Sequence, residues 1–251
     1  WKKNGKFSYE LEQYLKKLHP GLIIDSRLRA DDYGSRHFDS NGKLMGDYYD
    51  GFERKLPPVT DTAVTKYDWE CVMTIPENQW GYNAIWTGHV KTPDEIIEMM
   101  AHTISMGGDF VLNFGPKPDG TFRLKEREIA KSIGDWIRVN GAAIYGCDDA
   151  KGWEKEDWGF YTSDTAHDKV YMIIFNTPVS GALKIKPPKG VKVIKDFPIT
   201  QPDHHLKMEY IDQGQYLIHL DKTDFHHPYV IELQVENENY GEKSNYSPPK
   251  T

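Results

Sequence analysis

Two glutamates stand in surroundings suited to proton transfer. Glu53 lies within LMGDYYDGFERKLPP, residues 44–58, where acidic residues, aromatics and a double proline follow neither a helical nor a strand period. An irregular loop is therefore expected there. A glutamate on a loop over a cleft can turn its carboxyl toward a bound substrate. Glycoside cleavage with retention needs such a group roughly 5 Å from a second carboxylate, one protonating the leaving oxygen while the other attacks. A solvated surface glutamate is the plainer reading, and the adjacent Arg54 and Lys55 count against a proton donor. Glu70, in WECVMTIPENQWGYN, is the rival acid. Trp80 and Tyr82 flank Gly81 in the same stretch, an aromatic pair suited either to the apolar face of a sugar or to a core. Arg27 ends GLIIDSR; it could bind a substrate hydroxyl, steady a carboxylate or form a structural salt bridge.

Other chemistry finds little support. The histidines of DHH at 203–205 and FHH at 225–227 lack H-E-x-x-H or H-x-x-E-H spacing, so no metal is expected. LNFGPKPDGTF is not a phosphate loop, there is no G-x-S-x-G elbow, and no cofactor is expected. Cys71 and Cys147 form neither a CxxC nor a metal pattern, which leaves a disulfide or two buried free thiols.

The formal net charge of −7, with no run of Lys or Arg, argues against a nucleic-acid surface. No segment approaches the roughly twenty apolar residues of a membrane span. Apolar residues at 38% and charged ones at 27% suit a globular chain long enough to bury a core. Aromatics at 13%, including seven Trp and fifteen Tyr, are abundant enough to serve a sugar or peptide surface as well as a core. The chain begins at Trp1 rather than Met, so an upstream segment is expected and the lack of a signal peptide says nothing about location. The oligomeric state stays open.

The elements that must hold these residues come in two styles. In SYELEQYLKKL, Leu11, Tyr14, Leu15 and Leu18 predict one helical stripe. GLIIDSR, DWECVMTI and DFVLNFGP read as buried parallel strands. TPDEIIEMMAHTISMGG predicts a helix with Thr92 as N-cap, Pro93 at its first position and Glu95 closing a capping box; residues 124–140 predict another. Polar Asp25, Arg27 and Asn113 gather at strand C-terminal ends, where α/β folds keep their chemistry. Three strands are too few for a barrel of eight βα units, so the pattern suggests the C-terminal half of one. Beyond about Gly146 the period becomes two. KVYMIIFNT, ALKIK, VKVI, LKMEY, QYLIHL and YVIELQV predict an antiparallel β-sandwich. The expected fold is thus α/β followed by all-β: a partial (β/α)8-like barrel over 1–146, a β-sandwich over 147–236 and a flexible tail over 237–251.

In order, GLIIDSR, GDYYDGFERKLPP, WECVMTIPENQWGYN, GGDFVLNFGPKPDGTF and IGDWIRVNGAAIYG resemble blocks of the α-L-fucosidases of glycoside hydrolase family twenty-nine. The resemblance covers residues 1 to about 147. It implies a retaining exo-glycosidase that releases terminal L-fucose from fucosylated glycans by two displacements. It implies Glu53 as general acid/base, with Glu70 in reserve. Arg27 would be an active-site arginine, and Trp80 would line the pocket for the C5 methyl of the sugar. The nucleophilic aspartate would lie upstream of Trp1, in the N-terminal barrel half. A secreted, periplasmic or lysosomal location is implied too. The chain departs from the family pattern in an inserted-looking stretch, RADDYGSRHFDSNGKLM, at 29–45. A non-catalytic carbohydrate-binding or interaction protein, and a retaining glycosidase of other sugar specificity, are the competing readings.

Overall fold

The computed structural model describes residues 5–61, 63–220 and 228–237. Trp1, the FHH histidines and the expected tail, apart from Asn237, lie outside the described residues. The chain divides into two compact units, residues 1–136 and 137–251.

The first unit carries helix α1 (Gly5–Leu18), strands β1 (Tyr49–Glu53) and β2 (Trp69–Thr74), helix α2 (Pro93–Ile104) and strand β3 (Gly108–Asn113), followed by helix α3 (Leu124–Asn140), which runs across the division. The strands form one sheet in the order β1-β2-β3, both pairs parallel. Helix α2 connects β2 to β3, the crossover that parallel neighbours require. It starts as its sequence predicts: the Thr92 side chain accepts from Glu95 N–H, and the Glu95 carboxylate accepts from Thr92 N–H at 2.7 Å.

Three expectations fail here, the first two for related reasons. GLIIDSR is not a regular strand; only Asp25 bridges, in parallel, to Tyr48. The Asp47 carboxylate takes the Ile24 N–H at 2.9 Å, and the Asp25 carboxylate takes the N–H groups of Arg27 and Leu28 at 2.8 and 3.3 Å. Side chains thus occupy backbone donors that a ladder would have used. Conversely, YDGFE within the expected loop is strand β1. Its register slips between Tyr49, opposite Trp69, and Phe52, opposite Cys71, so three steps on β1 match two on β2. The slip lets Tyr49 and Phe52 pack together against the cluster of Trp69, Cys71, Met73 and Met106. It is also why no period of two is visible in the sequence. The predicted stripe on α1 is not its buried face either: Tyr14 and Leu18 are exposed, while Ser8 and Glu12 are buried. Glu12 is held by Arg29 at 2.6 Å, and the Ser8 hydroxyl donates to Ala30 O at 3.0 Å.

The second unit holds β4 (Asp148–Asp149), β5 (Gly159–Asp164), β6 (Lys169–Ile174), β7 (Ala182–Ile185), β8 (Val191–Pro198), β9 (Lys207–Tyr210), β10 (Tyr216–His219) and β11 (Tyr229–Asn237). They make two sheets, β4-β5-β6-β11-β8 and β7-β10-β9, with all pairs antiparallel. Met172, Ile174 and Ile231 from one sheet and Leu183, Ile185 and Ile218 from the other share a single apolar core. β5 escapes a reading by alternation because Gly159 through Ser163 are all buried, leaving no polar face to mark the period.

Cys71 and Cys147 are both free thiols, the first buried and the second half-buried. Burial pushes them up to about 12 and about 11, so neither is poised as a nucleophile. Among the described residues no helix is long and apolar enough to cross a membrane, and no cluster of three His, Cys, Asp or Glu could hold a metal ion.

The packing of the parallel sheet depends on Gly108. A Cβ there would fall 2.3 Å from the ring of Trp69, which is buried and donates its indole N–H to Met106 O at 3.1 Å. Gly108→Ala is expected to destabilise this unit by about 1–3 kcal/mol through overpacking. Urea unfolding followed by tryptophan fluorescence checks it; an unchanged midpoint contradicts it.

Candidate functional site

The bulge in β1 that sends Tyr49 and Phe52 into the core leaves Asp50 and Glu53 to reach one guanidinium on the opposite side. Arg27 Nη1 donates to Glu53 Oε2 at 2.6 Å. Its Nε lies 2.6 Å from Asp50 Oδ2, its Nη2 donates to Asp50 Oδ1 at 3.0 Å, and Nε also reaches Asp50 O at 3.2 Å. Arg27 thus makes two hydrogen bonds to Asp50, one to its carboxylate and one to its carbonyl, beside the close Nε–Oδ2 ion pair, a set that a lysine could not reproduce. Asp50 is buried, and burial pushes its carboxyl up against the opposing pull of Arg27. Burial works against the charge on Arg27 as well, but Glu53 and Asp50 more than offset it.

Glu53 is the last residue of β1, at the C-terminal edge of the parallel sheet. Arg54 follows in the left-handed region (φ 59°), donates its N–H to Val72 O and ends the strand. The Arg54 guanidinium comes within 3.7 Å of Glu53 Oε1 and lies over the Trp80 ring, 5.7 Å from its centroid. Glu53, Arg27, Arg54 and Trp80 therefore form one connected group. It contains three of the four residues singled out from the sequence.

Glu70 lies outside this connected group, though Asp50 and Arg27 are near enough to act on its charge. It is the second residue of β2, two positions before Val72, the partner of Glu53. That separation is about 6.5 Å along the strand, toward its N-terminal end. Burial, then Asp50 and Asp25, push the Glu70 carboxyl up, although its hydrogen bond with Tyr48 pulls the other way. Tyr48 is itself pushed up to about 12, chiefly by burial.

The loop bearing Trp80 is fastened from the segment after β3. Asn113 Nδ2, on the last residue of β3, donates to Trp80 O at 2.8 Å. Arg123 stacks on the Tyr82 ring at 4.7 Å and donates to Asn83 O. Gly115 packs so closely that a Cβ would lie 2.8 Å from the Gly81 carbonyl carbon. Sequence reading missed Asp50 and Arg123. The three-residue spacing of Asp50 and Glu53, which repeats that of Tyr49 and Phe52, was the available signal for the first. Nothing local marks the second.

Comparison with known proteins bears on the family of this chain. The family model "Alpha-L-fucosidase" matches residues 1–142. An α-L-fucosidase of Branchiostoma floridae is 34% identical over 176 residues, covering 67% of this chain and 36% of that protein. The human plasma α-L-fucosidase is 28% identical over 168 residues, covering 64% and 35%. The crystal structure of a GH29 α-L-fucosidase from Bacteroides thetaiotaomicron superposes with a TM-score of 0.90 at 49% identity, covering 95% of this chain and 54% of that one. A second structure of an enzyme from that organism, at 0.89, is a covalent intermediate trapped with 2-fluoro-fucosyl fluoride in a glutamate-to-glutamine mutant. The fold thus defines an α/β unit with a parallel sheet and an all-antiparallel β unit. More particularly, the chain belongs to the α-L-fucosidase family, glycoside hydrolase family twenty-nine. It spans about a third of the length of these curated relatives and 54% of the solved chains.

The raised Glu70 carboxyl makes a stability statement with a definite sign. A carboxyl raised above its unfolded value of 4.5 binds its proton more tightly when folded, so its ionisation costs stability as pH rises through and beyond that value. Glu70→Gln is therefore expected to raise the urea midpoint at neutral pH, with the gain vanishing as pH falls below 4.5. Midpoints measured at both pH values decide it; a loss at neutral pH counts against this account.

Proposed function

We propose that this chain contributes the acid/base half of a retaining α-L-fucosidase, hydrolysing terminal α-L-fucosides on glycans by double displacement. The single observation that carries the reading is the position of Glu53 at the C-terminal edge of β1, joined to Arg27 and, through Arg54, to Trp80.

In this reading β1–β3 with their helices are part of a (β/α)8-like barrel. Parallel strands are normally covered on both faces. Here one face packs on the Trp69 cluster, while Asp109 and Val111 of β3 are exposed. The N-terminal barrel half would cover that second face and bring the nucleophilic aspartate, upstream of Trp1. The aspartate attacks C1 as Glu53 protonates the departing glycosidic oxygen; Glu53 then takes a proton from water, whose oxygen releases fucose from the covalent ester. For the first step a Glu53 oxygen must face the leaving group, so substrate binding has to loosen its bond to Arg27. Arg27, still gripped by Asp50, is then free to hold a sugar hydroxyl. Trp80 offers an apolar face to the C5 methyl. The trapped covalent intermediate of the Bacteroides enzyme, obtained with a glutamine mutant, supports both the retaining course and a glutamate in this role. A secreted or lysosomal location follows the plasma and tissue enzymes among the relatives.

In the complete enzyme, Glu53→Gln is expected to lower kcat on natural fucosides by about 10²–10⁴-fold, with azide partly restoring turnover of an activated aryl fucoside. If Glu70→Gln shows that pattern and Glu53→Gln does not, Glu70 is the acid. The 251-residue chain by itself is expected to release no p-nitrophenol from its α-L-fucoside; measurable release overturns the placement of the nucleophile upstream.

A further inference from the structure

We propose that His37, carried by the 29–45 excursion, is a positioning residue for the Arg27–Glu53 pair, acting through Ser26 and Asp50 only while its imidazole is neutral. The inference rests on the functional reading above, since its consequence is felt at Glu53.

The excursion is tightly built. The Asp31 carboxylate accepts the N–H groups of Tyr33 and Ser35 at 3.0 and 2.7 Å, closing a turn beneath the Ala30–Arg36 bridge. Asp39 does the same for Asn41 and Lys43 at 2.8 and 2.9 Å, beneath the Phe38–Leu44 bridge. Where the two turns join, His37 takes φ 69°, a left-handed conformation uncommon outside glycine. That backbone aims Nδ1 at Ser26 Oγ, 2.7 Å away, and sets the ring edge-on to Tyr49 at 5.3 Å.

Ser26 is fully buried, and its hydroxyl oxygen accepts the Asp50 N–H at 3.0 Å. A serine hydroxyl has one hydrogen; in the arrangement proposed it is donated to His37 Nδ1, which must then be unprotonated to accept it. Ser26 is next to Arg27 in the chain, and Asp50 holds the Arg27 guanidinium. Arg36, from the same excursion, donates to Arg27 O at 3.3 Å. The excursion thus grips both the arginine and the aspartate that fixes it.

Protonation reverses the polarity of this chain. Nδ1–H becomes a donor, and the buried Ser26 hydrogen loses its acceptor. A new cation also arises beside Arg27 and Arg36. Burial, Arg27 and Arg36 lower the pKa of His37, while Asp50 and Asp25 oppose them. The sign follows. The folded value lies below the ordinary 6.5, so the arrangement is intact above that value and is lost as pH falls through the folded one.

The test uses the complete enzyme. His37→Asn keeps an acceptor and tolerates the left-handed backbone, but cannot take a proton. Its kcat/KM at about pH 7.5 should stay within roughly threefold of wild type, while the acid limb of its profile moves to lower pH. Ser26→Ala should lower kcat by about tenfold or more, with KM changed less. Independently of activity, ¹⁵N-histidine NMR should show His37 as the Nε2–H tautomer with Nδ1 accepting a hydrogen bond down to pH values below 6.5. An acid limb unchanged by His37→Asn overturns the proposal, as does a His37 titrating at or above 6.5. A wild-type enzyme that fails to cleave α-L-fucosides overturns the functional reading instead, whatever the NMR result.

Discussion

The Arg27 guanidinium is held between two carboxylates of unequal burial, and the rest of the site is arranged around that fact. The Asp50 side chain is 7% exposed and Glu53 30%, so the arginine is anchored on one and meets the other near solvent. Stripping a buried carboxylate of its partner typically costs about 3–5 kcal/mol, less where water can reach it. The asymmetry matters for chemistry. Two hydrogen bonds and an ion pair to Asp50 fix the arginine, whereas the single Nη1 bond to Glu53 can be exchanged for a substrate contact without unfastening anything else.

A one-residue bulge makes the anchoring possible. A regular β1 would put Tyr49 and Phe52 on opposite faces and would separate Asp50 from Glu53 in the same way. The slip between Tyr49 and Phe52 gives both aromatics to the core and both carboxylates to Arg27. Packing energy from the rings around Trp69 thereby holds the geometry of charged groups on the other side. Gly108 extends the dependence to β3, because only the absence of a side chain lets that strand lie against the Trp69 indole.

The Trp80 loop is held differently, by single polar contacts from β3 and the segment after it rather than by an apolar cluster. Its backbone carbonyls at Trp80 and Asn83 are the fixed points, and the Arg54 guanidinium lies over the Trp80 ring. An aromatic held by its main chain, next to a cation that also faces Glu53, can change partners with little rearrangement of the loop.

Local order was legible in the sequence wherever a residue's role is set by its near neighbours. The capping box of α2 closes between Thr92 and Glu95, and strands β6, β7, β10 and β11 carry their own apolar content. Glu53, Arg27 and Trp80 stood out by type and by the blocks around them. What could not be read was anything settled by a distant partner. Asp25 and Asp47 spend their carboxylates on backbone N–H groups and prevent a strand that the apolar run of GLIIDSR favours. β1 exists because β2 offers it a ladder, and its bulge hides the alternation that would have announced it. β5 hides its period by being buried throughout. Propensity and pattern act over a few residues, so the sequence by itself determined the helices, most of the antiparallel strands and the kinds of groups available for chemistry. Which carboxylate shares Arg27, and which is left with Tyr48, was decided by register and by hydrogen bonds spanning twenty or more residues, and these exist only once the chain has folded.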